Sequence, residues 1–162
     1  MTMRIAIEKA SPGARTALYG LQKYIHESGL EPSLLNLIDL RASQINGCAY
    51  CVDMHTKDAR SLGETEQRLY AVSVWRDTPF FTDRERAALE WTEAVTELQG
   101  RSVPDQIFQS VRPHFSDKEL VDLTLAIVAI NGWNRLNIAF RREAGDYQPP
   151  ARRAASSSAN TK

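Results

Sequence analysis

A capping signal in front of an unusually apolar run restricts the fold more than any other feature of the sequence. Ser116-Asp117-Lys118-Glu119 has the form of a capping box, in which a hydroxyl and a carboxylate three residues apart satisfy backbone N–H groups at a helix start. It opens the most apolar stretch, Leu120 to about Phe140, broken in composition only at Asn131-Gly132. A helix this apolar all round must be covered on more than one side, by its own domain or by another subunit. Thr82-Asp83-Arg84-Glu85 repeats the signal before Ala87, Ala88, Leu89, Trp91, Val95 and Leu98, with Gly100 as the stop.

The rest of the chain follows the same period. Ala14, Leu18, Leu21 and Ile25 are helically spaced from Pro12 to a stop at Ser28-Gly29. Glu31-Pro32-Ser33 opens a second helix carrying Leu34, Leu35, Leu37, Ile38, Leu40 and Ile45, with proline where a first turn accepts it. Asn46-Gly47 then introduces a cysteine-bearing helix that Gly63 closes. Another runs from about Glu64 through Leu69, Val72 and Trp75 to Thr78-Pro79, and a short one from Pro104 through Ile107, Phe108 and Val111. These patterns predict an all-α, single-domain bundle of six to seven helices over residues 12–142. Residues 1–11, where Met3, Ile5 and Ile7 alternate, are expected to be extended. Residues 143–162, with Pro149-Pro150 and Ser156-Ser157-Ser158, are expected to be a disordered tail.

A chain of 162 residues can bury a sufficient core without a metal or disulfide staple. Lys plus Arg and Asp plus Glu both number 20, so there is no basic footprint for nucleic acid or an anionic membrane. The strongly apolar run Leu123 to Ile130 falls short of the roughly 18 residues a membrane span needs. Met1 to Ile5 does not read as a secretory signal, and the chain is expected to be cytoplasmic.

Both cysteines of the sequence stand in Gly47-Cys48-Ala49-Tyr50-Cys51-Val52-Asp53-Met54-His55. In a helix, Cys48 and Cys51 form an i,i+3 pair and Cys51 and His55 an i,i+4 pair, so two sulfurs and an imidazole share one face. A thiol of ordinary pKa, about 8.5, is mostly protonated at neutral pH. A helix N-terminus or a neighbouring imidazole favours the nucleophilic thiolate. Side chains three apart on a helix have Cβ atoms about 5–6 Å apart, against about 3.5–4.5 Å in a disulfide, so oxidation calls for local adjustment.

Structural zinc would need a fourth ligand, recruited from His26 or His114, since no second cysteine pair exists. Val52 stands where c-type haem attachment requires histidine, and the helical pattern lacks the βαβ context of a thioredoxin. Two inert structural cysteines are the remaining alternative. His26 and His114 read as surface or cap residues, and Trp75, Trp91 and Trp133 as core or interface anchors. The charges at Asp83 to Glu85 and Arg141 to Glu143 read as solvated helix ends.

The run Leu40 to Arg60 around the cysteines, together with Gly63-Glu64 and Ile130-Asn131-Gly132-Trp133-Asn134-Arg135-Leu136, resembles AhpD-like alkylhydroperoxidases of the carboxymuconolactone decarboxylase family. The resemblance implies a helical fold that assembles into trimers or hexamers, with the site near a subunit contact. It implies that Cys51 attacks peroxide and becomes a sulfenic acid. Cys48, as the more accessible partner, closes the disulfide and meets an external dithiol donor, and His55 relays the proton from Cys51. The family places a glutamate twelve residues before the first cysteine; here the position holds Asn36, which carries no charge, and Asp39 one turn on is a candidate substitute.

The family's decarboxylases lack the cysteine pair. The function implied is therefore a thiol-dependent peroxidase with no cofactor or metal, weakened by Asn36. Its alternatives are a redox-responsive oligomeric protein, or general disulfide reductase, with little peroxidase turnover, and an oligomeric scaffold without redox function.

Overall fold

The computed structural model describes residues 2–98 and 102–150, and all regular structure among them is helical. The stop at Gly100 and the far end of the tail, 151–162, lie outside the described residues. The elements are α1 (Ile7–Ala10), α2 (Pro12–Glu27), α3 (Pro32–Asn46), α4 (Ala49–Ser61), α5 (Glu66–Ala71), α6 (Asp83–Glu97), α7 (Asp105–Val111) and α8 (Asp117–Ala139). Both capping boxes form: Thr82 and Glu85 close on each other at the start of α6, and Ser116 and Glu119 at the start of α8.

Two features differ from the sequence pattern. Ile7–Ala10 makes one helical turn in place of an extended segment; Ile7 is buried, and the Arg4 amide donates to the Phe140 carbonyl. The helix read through Trp75 instead tightens at Val72–Asp77 into 3-10 geometry with Val74 out of helical conformation. Arg86 compensates the broken ladder by donating to the carbonyls of Trp75, Arg76 and Thr78, and the buried Trp75 indole donates to Glu93.

Helix α3 runs through the middle. Leu34, Leu35 and Ile38 join Ile25, Trp91, Leu123 and Ile127 from α2, α6 and α8 in one apolar cluster. Leu37 and Leu40 join Ala59, Leu69, Val72, Trp75 and Leu89 in a second. Helix α8 buries Leu123, Ile127 and Ile130 but leaves Val121 and Val128 exposed, so its apolar surface is only partly covered by its own chain. Arg84 and Glu85 are not simply solvated: Arg84 pairs with Glu31 and Glu119, and Glu85 with Arg68.

An asparagine network sets where α3 ends. Asn46 Nδ2 donates to Oδ1 of both Asn131 and Asn134 on α8; Asn134 Nδ2 donates to Ser43, and Asn131 Nδ2 to Thr96 on α6. A network of amides that is buried at Asn134 and half-buried at Asn46 and Asn131 holds register as well as energy, and this one fixes the residues before the cysteines.

Candidate active site

Gly47 turns the chain from α3 into α4. It lies at φ 70°, ψ 31°, a left-handed conformation that costs glycine little. Its amide donates to the Gln44 carbonyl and that of Cys48 to the Ser43 carbonyl, the paired bonds of a Schellman ending. Cys48 is then the N-cap of α4 in extended conformation, its sulfur accepting from the Cys51 amide at 3.4 Å. One residue thus closes one helix with its amide and caps the next with its sulfur.

The break at Asn46-Gly47 thus puts the helix start beside Cys48, which stands one residue outside it. The Cys48 Cα lies 5.3 Å from that of Cys51, within the range a disulfide spans, and the two sulfurs are joined in a disulfide. Cys51 is fully buried and Cys48 is 1% exposed, so the pair does not divide into a buried and an accessible thiol within this chain. The asymmetry is in the approach: Cys48, with Gly47, Tyr50, Asn137 and Arg141, lines a cleft of about 530 Å³ whose walls do not include Cys51.

His55, one turn beyond Cys51, is buried against α3. Its Nδ1 is 3.8 Å from Asp39 Oδ2, and its Nε2 has no hydrogen-bond partner among the described residues. Burial pushes His55 down to about 4. Burial, with the nearby Asp58 carboxylate, pushes Asp39 up to about 8, so both groups are neutral at pH 7. Asp58 is itself raised by burial, partly offset by a 2.7 Å hydrogen bond from Tyr147. Asp39 therefore reaches the histidine. Asn36 lines a separate cleft with Leu37, Ala59, Leu62 and Glu64, and no hydrogen bond joins it to His55 among the described residues.

As far as it is described, the segment after α8 packs back on α4. Lys57 on α4 donates to the carbonyls of Gly145 and Tyr147 and to Asp53, and the Gly145 amide donates to Asp53. The bond from Lys57 also holds Asp53 below its ordinary range. Arg142 lies over the Tyr50 ring at 4.4 Å. Sequence reasoning missed these contacts, and it missed Asn137, whose Nδ2 lies 3.3 Å from Cys51 Sγ. The recurrence of asparagine every three residues along a very apolar helix was the available signal for the latter.

His26 is exposed and bonded to Gln22; the His114 carbonyl accepts from Arg84. Neither joins the cysteines, and no cluster of three or more His, Cys, Asp or Glu among the described residues is arranged to hold a metal ion. Nor is any helix among them long and apolar enough to cross a membrane.

This geometry can be set beside known proteins. The family model for the carboxymuconolactone decarboxylase family matches residues 12–94. The uncharacterized protein YdfG of Bacillus subtilis is 40% identical over 144 residues, which are 89% of this chain and 98% of that one. A crystal structure of a protein of unknown function from Agrobacterium tumefaciens, described as a candidate antioxidant defence protein AhpD, superimposes with a TM-score of 0.86 at 48% identity. The match covers 90% of this chain and all of that one. The debrominase Bmp8 shares the fold at 21% identity, TM-score 0.75, over 83% of this chain and 73% of its own. With the C-x-x-C-x-x-x-H spacing of Cys48, Cys51 and His55 built into that fold, the chain belongs to the carboxymuconolactone decarboxylase family as an AhpD-like member.

Proposed function

We propose that the protein is a thiol-dependent peroxidase that reduces hydroperoxides through a Cys48–Cys51 dithiol–disulfide cycle. The observation that carries this reading is a disulfide one turn from a buried, neutral histidine whose Nε2 is unpaired and whose other nitrogen faces Asp39. In the reduced protein His55 takes the Cys51 proton, and imidazolium formation favours ionisation of Asp39 beside it. The Cys51 thiolate attacks the terminal oxygen of ROOH: an S–O bond forms, the O–O bond breaks, and RO⁻ leaves to be protonated to the alcohol. Cys48 attacks the sulfenic sulfur, its proton leaving with the expelled hydroxide as water. An external dithiol then reduces the disulfide and becomes a disulfide itself, restoring both thiols.

The Agrobacterium relative's description as a candidate antioxidant defence protein supports this class of activity. We further propose a homo-oligomeric assembly, trimer or hexamer, for which the exposed Val121 and Val128 on α8 provide apolar surface. The test is chemical trapping. Reduced Cys48→Ser protein treated with one equivalent of hydroperoxide should gain one oxygen atom at Cys51, while wild type should form the disulfide without retaining oxygen. No oxidation at Cys51 in the Cys48→Ser protein overturns the reading. Rapid disulfide formation without sustained turnover favours the redox-responsive alternative.

A further inference from the structure

We propose that Asn137 is a catalytic residue: its side-chain N–H donates to the Cys51 sulfur, orients that sulfur and stabilises it as the thiolate. The inference rests on the reading of Cys51 as the nucleophile. It begins with a contrast along one face of α8. Asn131, Asn134 and Asn137 recur every three residues, and the first two are structurally satisfied. Asn134 is fully buried, accepts from Asn46 and donates to Ser43; Asn131 accepts from Asn46 and Arg135 and donates to Thr96 and the Ile127 carbonyl.

Asn137, 5% exposed, places its Nδ2 3.3 Å from Cys51 Sγ, and its buried Oδ1 has no partner among the described residues. A buried amide with its oxygen unpaired costs stability that a leucine of similar size would not. A weak bond to a disulfide sulfur does not recover that cost. A bond to a thiolate does more, because hydrogen bonds to charged groups are roughly twice as strong as neutral ones. The amide orientation fits: turned over, it would place Oδ1 against the sulfur and repel the anion.

The surroundings leave this task to Asn137. On its own segment Cys51 has Cys48, Tyr50 and His55 as titratable neighbours, and Asp39 on α3 faces His55. The contribution of α8 is Asn137, neutral at every pH, with Arg141 and Arg142 beyond its end lining the cleft on the Cys48 side. No hydrogen bond joins His55 to either sulfur among the described residues, so the imidazole serves the proton while the amide serves the charge left behind.

The experiment is an ultraviolet thiolate titration of the full-length Cys48→Ser protein, in which Cys51 is the sole thiol, with and without Asn137→Leu. Loss of a charge-assisted hydrogen bond should raise the Cys51 pKa by about one to two units. In the Cys48-containing protein the same change should lower kcat/KM for hydroperoxide by about 10- to 100-fold. Asn137→Asp keeps the shape and places a carboxylate at the sulfur. It should raise the pKa at least as much, and it provides the test where the leucine variant does not fold. An unchanged titration in either folded variant overturns the proposal. The titration uses no peroxide, so a shifted pKa without hydroperoxide consumption by wild type supports the hydrogen bond and overturns the peroxidase reading alone.

Discussion

Two buried regions meet along α3. In the first, Leu34, Ile38, Leu123 and Ile127 fill the space between α2, α6 and α8, and the neighbouring buried Thr92 returns its hydroxyl to the Ala88 carbonyl. In the second, where α3, α4 and α8 converge on the cysteines, Asp39, His55 and Asn137 are also buried, and His55 and Asn137 are incompletely paired among the described residues. The three buried side-chain atoms without partners among the described residues, Gln44 Oε1, His55 Nε2 and Asn137 Oδ1, are all carried by those three helices. The first region provides stability. On the proposed reading, the second gives some up to keep polar groups available to a reacting sulfur, as unpaired polarity is commonly distributed in enzymes.

Substitutions can break this division. Leu123→Ala in the apolar region should cost about 2–5 kcal/mol of stability in chemical denaturation, while the protein that remains folded keeps its Cys51 titration unchanged. His55→Gln should do the reverse, lowering hydroperoxide kcat/KM by about 100-fold or more through loss of the general base, with a change in denaturation free energy within about 1 kcal/mol.

Asp39 gives a pH signature. Its folded pKa of about 8 is raised above the ordinary carboxylate value of 3.8, so the folded state holds a proton that the unfolded state has lost across that interval. Its contribution is full below pH 3.8 and lost as pH rises toward 8. His55, depressed from 6.5 to about 4, works in the opposite direction, stabilising progressively from pH 4 to 6.5. The two effects offset each other below pH 6.5. Stability should therefore fall by about 2 kcal/mol between pH 6.5 and 8, and Asp39→Asn should flatten that fall in urea titrations at each pH. The smallest effect is expected at Asn36. Asn36→Glu should raise turnover by less than about tenfold, because Asp39 already faces His55; unchanged turnover would show that Asn36 does not limit the relay.

Much of this arrangement was legible from local pattern. The capping boxes at Thr82 and Ser116 place α6 and α8, and Gly47 marks the entry to α4, because these signals act over three or four residues. The turn spacing of Cys51 and His55 was equally local. Asn137 was not legible as a partner of Cys51 because 86 residues separate them, and only the packing of α8 on α4 brings them together. The helix start near Cys48 was legible from the Asn46-Gly47 break, whereas its role as N-cap was not, because a cysteine is not a usual N-cap. The segment around Tyr147 was read as tail because one phenol, two carbonyls and one amide anchor it, with no apolar periodicity to announce the contact.

The central claim is tested most directly by following hydroperoxide consumption by the purified protein with excess dithiol donor, wild type beside Cys51→Ser. Sustained consumption by wild type, absent from the variant and passing through the Cys48–Cys51 disulfide, is the predicted result. Equal consumption by both proteins, or none by either, would contradict it.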